Sequence, residues 1–251
     1  MRGGMLQKGW FLALLLVIPL RLFAEEHALK ENGVKLYVSP SFGLLSGQGE
    51  ELVYRNGGSD DTVSQLLWHM NPLVYAGFDV HFDWEKPANK WGAFADASFK
   101  FGMPMKSGET EDRDWMDSRY ADFLTHYSVH DNKTDAAIMI HANSGAAFAV
   151  FNKHLLKAYL AYEYMSFSWT ASGGSFLYPK YPDGSEGHGY LPTPTNVGTY
   201  KQTWHMLSPA LSFYGTFNRY FSAEIALQAS PFIWCHAVDN HILRAGHYRH
   251  A

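Results

Sequence analysis

The fifteen residues from Trp68 to Phe82 limit the fold more than any other stretch of the chain. Their even positions are Trp68, Met70, Pro72, Val74, Ala76, Phe78, Val80 and Phe82; the odd ones include His69, Asn71, Tyr75, Gly77, Asp79 and His81. A period of 2, apolar on one side and polar on the other, predicts a strand with a single apolar face. Strands of soluble proteins usually run about five or six residues. One this long fits a tilted membrane strand that continues beyond the lipid. The pattern recurs in Trp91–Phe101, Ala136–Val150 and Phe221–Ile233, and more weakly in Lys35–Leu45, Leu155–Trp169 and Thr199–Phe217. Seven strands are therefore expected, in an all-β, antiparallel transmembrane barrel.

Composition narrows the class. Apolar residues make up 47% of the chain and aromatics 16%, yet mean hydropathy is -0.22, which argues against a bundle of membrane helices. A net charge of -4 gives no footing for a nucleic-acid partner. Cys235 is the sole cysteine, so the chain has no internal disulfide and no cysteine metal set. At the N-terminus, Arg2 and Lys8 precede the apolar run Trp10–Leu20, and Ala24 offers a cleavage point before Glu25. This reads as a signal peptide over 1–24 and an exported domain over 25–251. Connections alternate in length: Ser46–Val63, Gly102–His126 and Ser172–Val197 are long, whereas Asp83–Lys90, Phe151–His154 and Asn218-Arg219 are short. Short turns on one side and long loops on the other are the pattern of outer-membrane barrels.

Glu109 to Ser118 holds five acids, and Asp112 and Asp114 sit at i and i+2, on one face of an extended chain. Two carboxylates on one face raise each other's pKa and can share a proton or a water. Most Asp-x-Asp pairs are solvated loop acids. By strand parity the loop after the third strand and the tail after the seventh emerge on the same outer rim, and that tail carries Asp239-Asn240-His241. A His oriented by an Asp can act as a general base on water. The plain alternative is a His-rich tail with His236, His247 and His250; a zinc site there lacks compact ligand spacing. Strict alternation through the seventh strand would turn Asp239 toward lipid, so a bulge or turn near Pro231 is expected.

Several segments together resemble the omptins, outer-membrane proteases of Gram-negative bacteria. They are Gly43-Leu44-Leu45-Ser46-Gly47, Glu51-Leu52-Val53-Tyr54, Val63-Ser64-Gln65-Leu66-Leu67-Trp68, Asp112-Arg113-Asp114-Trp115-Met116-Asp117-Ser118, Ser172-Gly173-Gly174-Ser175, Tyr200-Lys201-Gln202 and Asp239-Asn240-His241. The resemblance implies a ten-stranded barrel with its site above the outer membrane, facing outward. It also implies an aspartic-type endopeptidase without cofactor or metal, acting on peptides or proteins amid outer-membrane lipid. Asp239 and His241 would activate a water held between them and Asp112/Asp114, and Glu51 would receive a basic substrate side chain. Three departures accompany it. The chain ends ten residues after His241, so the family's last three strands are expected to be missing. Ala237 replaces a second pocket acid, which implies a weaker preference for Arg or Lys. Ser166 and Thr203 stand where the family grips lipopolysaccharide with arginines. A non-enzymatic surface barrel, such as an adhesin, is the rival reading. A soluble β-sandwich fits neither the strand lengths nor the leader.

Overall fold

The computed structural model describes residues 33–55, 61–86, 90–117, 123–150, 154–178, 186–218, 221–242 and 246–250. The leader at 1–24, the junction before Glu25, and Ser118 lie outside these residues. The described chain forms one antiparallel sheet of ten strands. These are β1 (Gly33–Tyr54), β2 (Thr62–Lys86), β3 (Trp91–Gly102), β4 (Met105–Asp114), β5 (His126–Val150), β6 (His154–Tyr178), β7 (Gly187–Asn218), β8 (Phe221–Gln228), β9 (Phe232–His241) and β10 (Gly246–His250). β3 and β4 lie end to end between β2 and β5, and β8 and β9 lie end to end along β7. The wall thus consists of seven long rungs plus the short β10, as the alternation predicts.

The strands are longer than the pattern suggested. The segments read as long outer loops, Ser46–Val63, Gly102–His126 and Ser172–Val197, are largely strand. Asp112 pairs with Leu66 on one side and Ser128 on the other, and Asp239 pairs with Tyr200. Both acidic clusters therefore stand on hydrogen-bonded strand rather than in loops. The ladder satisfies backbone groups that an irregular loop would leave to water.

The alternation changes phase partway up the wall. Below, β2 turns Phe78 and Phe82 outward, with 48% and 36% of their surface exposed. Above, Trp68 and Met70 fall to 2% and 7% and join the interior core. The β1–β2 register slips between Leu45↔Leu73 and Gly47↔Met70, so the extra residue lies at Asn71-Pro72. The apparent single face from Trp68 to Phe82 is thus two opposite faces joined by a bulge, because one added residue exchanges the sides of a strand. β5 does the same at Asp135, between the pairs Thr134↔Trp169 and Ala136↔Ser168. A third slip separates Ala210↔Gln228 from Leu207↔Phe232, and it spans Ala229, Ser230 and Pro231. This is the bulge anticipated near Pro231, and it leaves Asp239 6% exposed, inside the wall.

Below the bulges the interior is polar: His81 bonds Asp83 at 2.7 Å and also Asp96, and Lys35 meets Glu85 at 3.2 Å. Leu160, Leu211, Ile225 and Leu227 face outward there. Above the bulges the polarity reverses. Ion pairs such as Arg113–Glu111 at 2.6 Å and Lys106–Asp131 at 2.7 Å lie outside. Trp68 stacks on Tyr200 at 5.3 Å and on Trp169 at 5.9 Å within. These rings come from β2, β6 and β7, so the sheet is curled enough for its concave face to meet itself. A buried Trp in such a stack contributes about 3–5 kcal/mol against truncation to Ala.

Candidate active site

A cleft of about 270 Å³ opens above the aromatic stack, with Leu66 and Trp68 among its walls. That is near the lower end of small-molecule sites. Asp112, Asp239 and His241 line it together. Asp239 and His241 are two apart on β9 and share its inner face; His241 Nε2 donates to Asp239 Oδ2 at 2.6 Å. With Nε2 carrying that proton, Nδ1 bears the ring's lone pair in the neutral imidazole.

Asp114 does not line the cleft. It shares the inner face of β4 with Asp112 but is buried, 2% exposed, with Oδ2 3.9 Å from His126 Nδ1. The two acids keep their i, i+2 relation, yet one faces the cavity and the other backs a histidine. Glu51, on β1, is 4% exposed and sits beneath the cleft against Tyr200 and Cys235. Gln202 donates to the Tyr200 hydroxyl at 2.7 Å, and Tyr200 in turn donates to Glu51. Burial first, then the Glu51 carboxylate, holds the Tyr200 phenol well above its ordinary range. Ala237 is 1% exposed in the core beside this group. Ser166 and Thr203 meet each other, Oγ to Oγ1, at 3.3 Å.

Three cleft residues escaped sequence reasoning: His126, Ser128 and His130, spaced two apart on β5. The signal was the same i, i+2 spacing that marked the acids, but it fell where the chain read as the end of a loop. His130 is 5% exposed. Its Nδ1 donates to the Gly173 carbonyl, so Nε2 accepts from Ser128 Oγ at 2.9 Å. Burial pulls its pKa below the ordinary value, against the opposing pull of the Gly173 carbonyl. The carbonyl is in reach because Gly173 and Gly174 take positive φ, +59° and +94°, at a register slip of β6. A Cβ on Gly174 would stand 2.0 Å from the Val129 carbonyl oxygen.

A curled antiparallel β-wall, apolar outside below its bulges and carrying an Asp–His pair in a cleft above them, defines the class: an outer-membrane type of β-barrel. The omptin family model matches residues 33–251, and the chain belongs to the omptin family. It is similar to outer membrane protease OmpP of Escherichia coli K12, 27% identical, over 95% of this chain and 75% of that protein. It is also similar to protease 7 of Escherichia coli O157:H7, 26% identical over 91% and 71% of the two chains. The plasminogen activator of Yersinia pestis is 24% identical over 82% and 63%. Among solved structures, outer membrane protease OmpT from Escherichia coli superposes with a TM-score of 0.72 at 22% identity, over 88% of this chain and 74% of that one.

Proposed function

We propose that the chain is an outer-membrane endopeptidase of aspartic type that hydrolyses peptide bonds with an activated water. The observation that carries this reading is the convergence of Asp112 with the 2.6 Å Asp239–His241 pair on one cleft. A water between Asp112 and His241 gives its proton to His241 Nδ1 and attacks the scissile carbonyl carbon. Asp239 fixes the tautomer of His241 and stabilises the imidazolium that forms. Asp112 orients the water, and Asp114 supports the acidic wall from behind. Glu51 receives the side chain before the cut and favours Arg or Lys, exchanging its Tyr200 partner for a cation. The names of the relatives support protease chemistry, and the outward apolar band below the bulges supports residence in the outer membrane.

The test is cleavage of an internally quenched basic peptide by the folded protein in detergent, with and without lipopolysaccharide. Wild type should cleave it, and His241→Ala or Asp239→Asn should lower kcat/KM by about 10²–10⁴-fold, the range for a positioned base. Folded wild type that cleaves nothing under any condition would instead leave a non-enzymatic barrel.

A further inference from the structure

We infer that His126, backed by Asp114, is the general acid that protonates the leaving amine. This rests on the endopeptidase reading above and assigns a second Asp–His pair to the same bond.

The hydrogen bonds around Thr125 fix the state of the His126 ring. The Thr125 hydroxyl has one proton, and it goes to the Asp114 carbonyl at 2.8 Å. Its oxygen accepts from the Met116 amide at 3.1 Å. The 3.0 Å contact with His126 Nδ1 is therefore one in which Nδ1 donates. Nε2 is then the nitrogen through which this ring gains and loses a proton. The buried Asp114 carboxylate, 2% exposed, stands beside the same nitrogen, Oδ2 3.9 Å from Nδ1. The His126 and Tyr178 rings meet edge to face with centroids 4.7 Å apart, and both line the cleft.

The three cleft histidines thereby divide the work. His130 has both nitrogens engaged, by Gly173 and Ser128, and burial pulls its pKa below the ordinary value. His241 is held through Nε2 by the acid beside it and is set to take a proton. His126 is held through Nδ1 beside a buried carboxylate and is set to give one. In the reaction, the water oxygen bonds to the carbonyl carbon and the water's proton passes to His241. The carbon–nitrogen bond then breaks, its electron pair goes to nitrogen, and nitrogen takes the proton from His126 Nε2. The products are a carboxylic acid and an amine. Solvent reprotonates His126 and deprotonates His241 for the next turnover.

An amide nitrogen needs that proton to leave, whereas a p-nitrophenolate does not. The experiment compares a basic peptide with the p-nitrophenyl ester of the same acyl segment, using His126→Asn, Asp114→Asn and His241→Ala in folded protein. His126→Asn keeps a donor toward Thr125, and heat-modifiable migration on gels reports folding. Expected is a loss of about 10²-fold or more in amide kcat for His126→Asn, with ester hydrolysis near wild type. Asp114→Asn should fall in the same direction by less, and His241→Ala should lose both substrates. Equal losses on amide and ester in folded His126→Asn, or no loss on either, would overturn the assignment while leaving the endopeptidase intact. Wild type that cleaves neither substrate would overturn both.

Discussion

On β2, Phe78 and Phe82 face outward while His81 meets Asp83 and Asp96 inside; ten residues higher, Trp68 and Met70 face inward while His69 meets Glu111 outside. The lower wall is apolar toward its surroundings and ionic toward its interior. The upper wall is ionic toward its surroundings and aromatic within. Both halves are one hydrogen-bonded sheet, so the difference comes from phase and not from separate domains. Lipid demands apolar side chains outside, whereas a water-facing extension needs its apolar residues inside to form a core. A one-residue bulge on each of β2 and β5, and between β8 and β9, makes the exchange without breaking the ladder. The proposed catalytic acids and His241 hang on the upper half, where packed rings floor the cleft.

That contrast is tested most strongly by charging the lower outer face. Leu211 is 54% exposed on β7, between β6 and β8. Leu211→Arg should weaken membrane insertion by about 2–4 kcal/mol, as charges on a lipid face do near mid-depth. The fraction that does insert should cleave peptide at the wild-type rate. Reversible folding into vesicles, read by gel shift, gives the first number and a fluorogenic peptide gives the second. Impaired cleavage by fully inserted protein would show that the halves are coupled.

The next effect belongs to the upper half alone. Glu51→Gln keeps the Tyr200 contact but removes the carboxylate, and should raise KM for Arg or Lys before the cut by the equivalent of about 1.5–3 kcal/mol. Neutral residues at that position should be unaffected, and insertion unchanged. If basic and neutral peptides shift together, Glu51 is a core acid and not a specificity residue.

How much of this was legible in the sequence follows from the same division. The seven rungs were readable because each half alternates, and Trp91–Phe101 or Ala136–Val150 lies wholly or almost wholly in one half. The inward turn of Asp239 was readable because strict alternation placed it in lipid, which is untenable. The bulge at Asn71-Pro72 was not, since Trp68 and Met70 continue the even apolar series and only Pro72 hints at a break. The outer segments looked like loops because their polar and Gly-rich composition suits water, and a strand above the membrane also faces water. His126, Ser128 and His130 were hidden for that reason. The split between Asp112 in the cleft and Asp114 behind it depends on cross-strand packing, which spacing does not encode.

Gly174→Ala comes next in size. Its Cβ would press on the Val129 carbonyl, and a non-glycine residue at φ +94° adds strain of about 1–3 kcal/mol. Amide exchange should quicken in the upper parts of β5 and β6 and stay unchanged around Phe78 or Leu160. Uniform quickening would mean that the two halves open as one unit.

The smallest expected effect concerns acid. His130 is buried in the upper half, and burial holds its pKa below the ordinary 6.5. The folded protein therefore resists a proton that the unfolded chain accepts. Stability from this residue is fully present above about pH 6.5, and is lost as pH falls through that value toward the lower folded pKa. Protonation also places a second N–H against the Ser128 hydroxyl, which now donates to that nitrogen. Exchange at Val129, His130 and Gly174, corrected for its intrinsic pH dependence, should be faster at pH 5 than at pH 7.5. His130→Asn keeps a donor for the Gly173 carbonyl and has no proton to gain in this range, so its exchange should lose that difference. If wild type and His130→Asn respond to acid alike, His130 is not the group that loosens the upper wall.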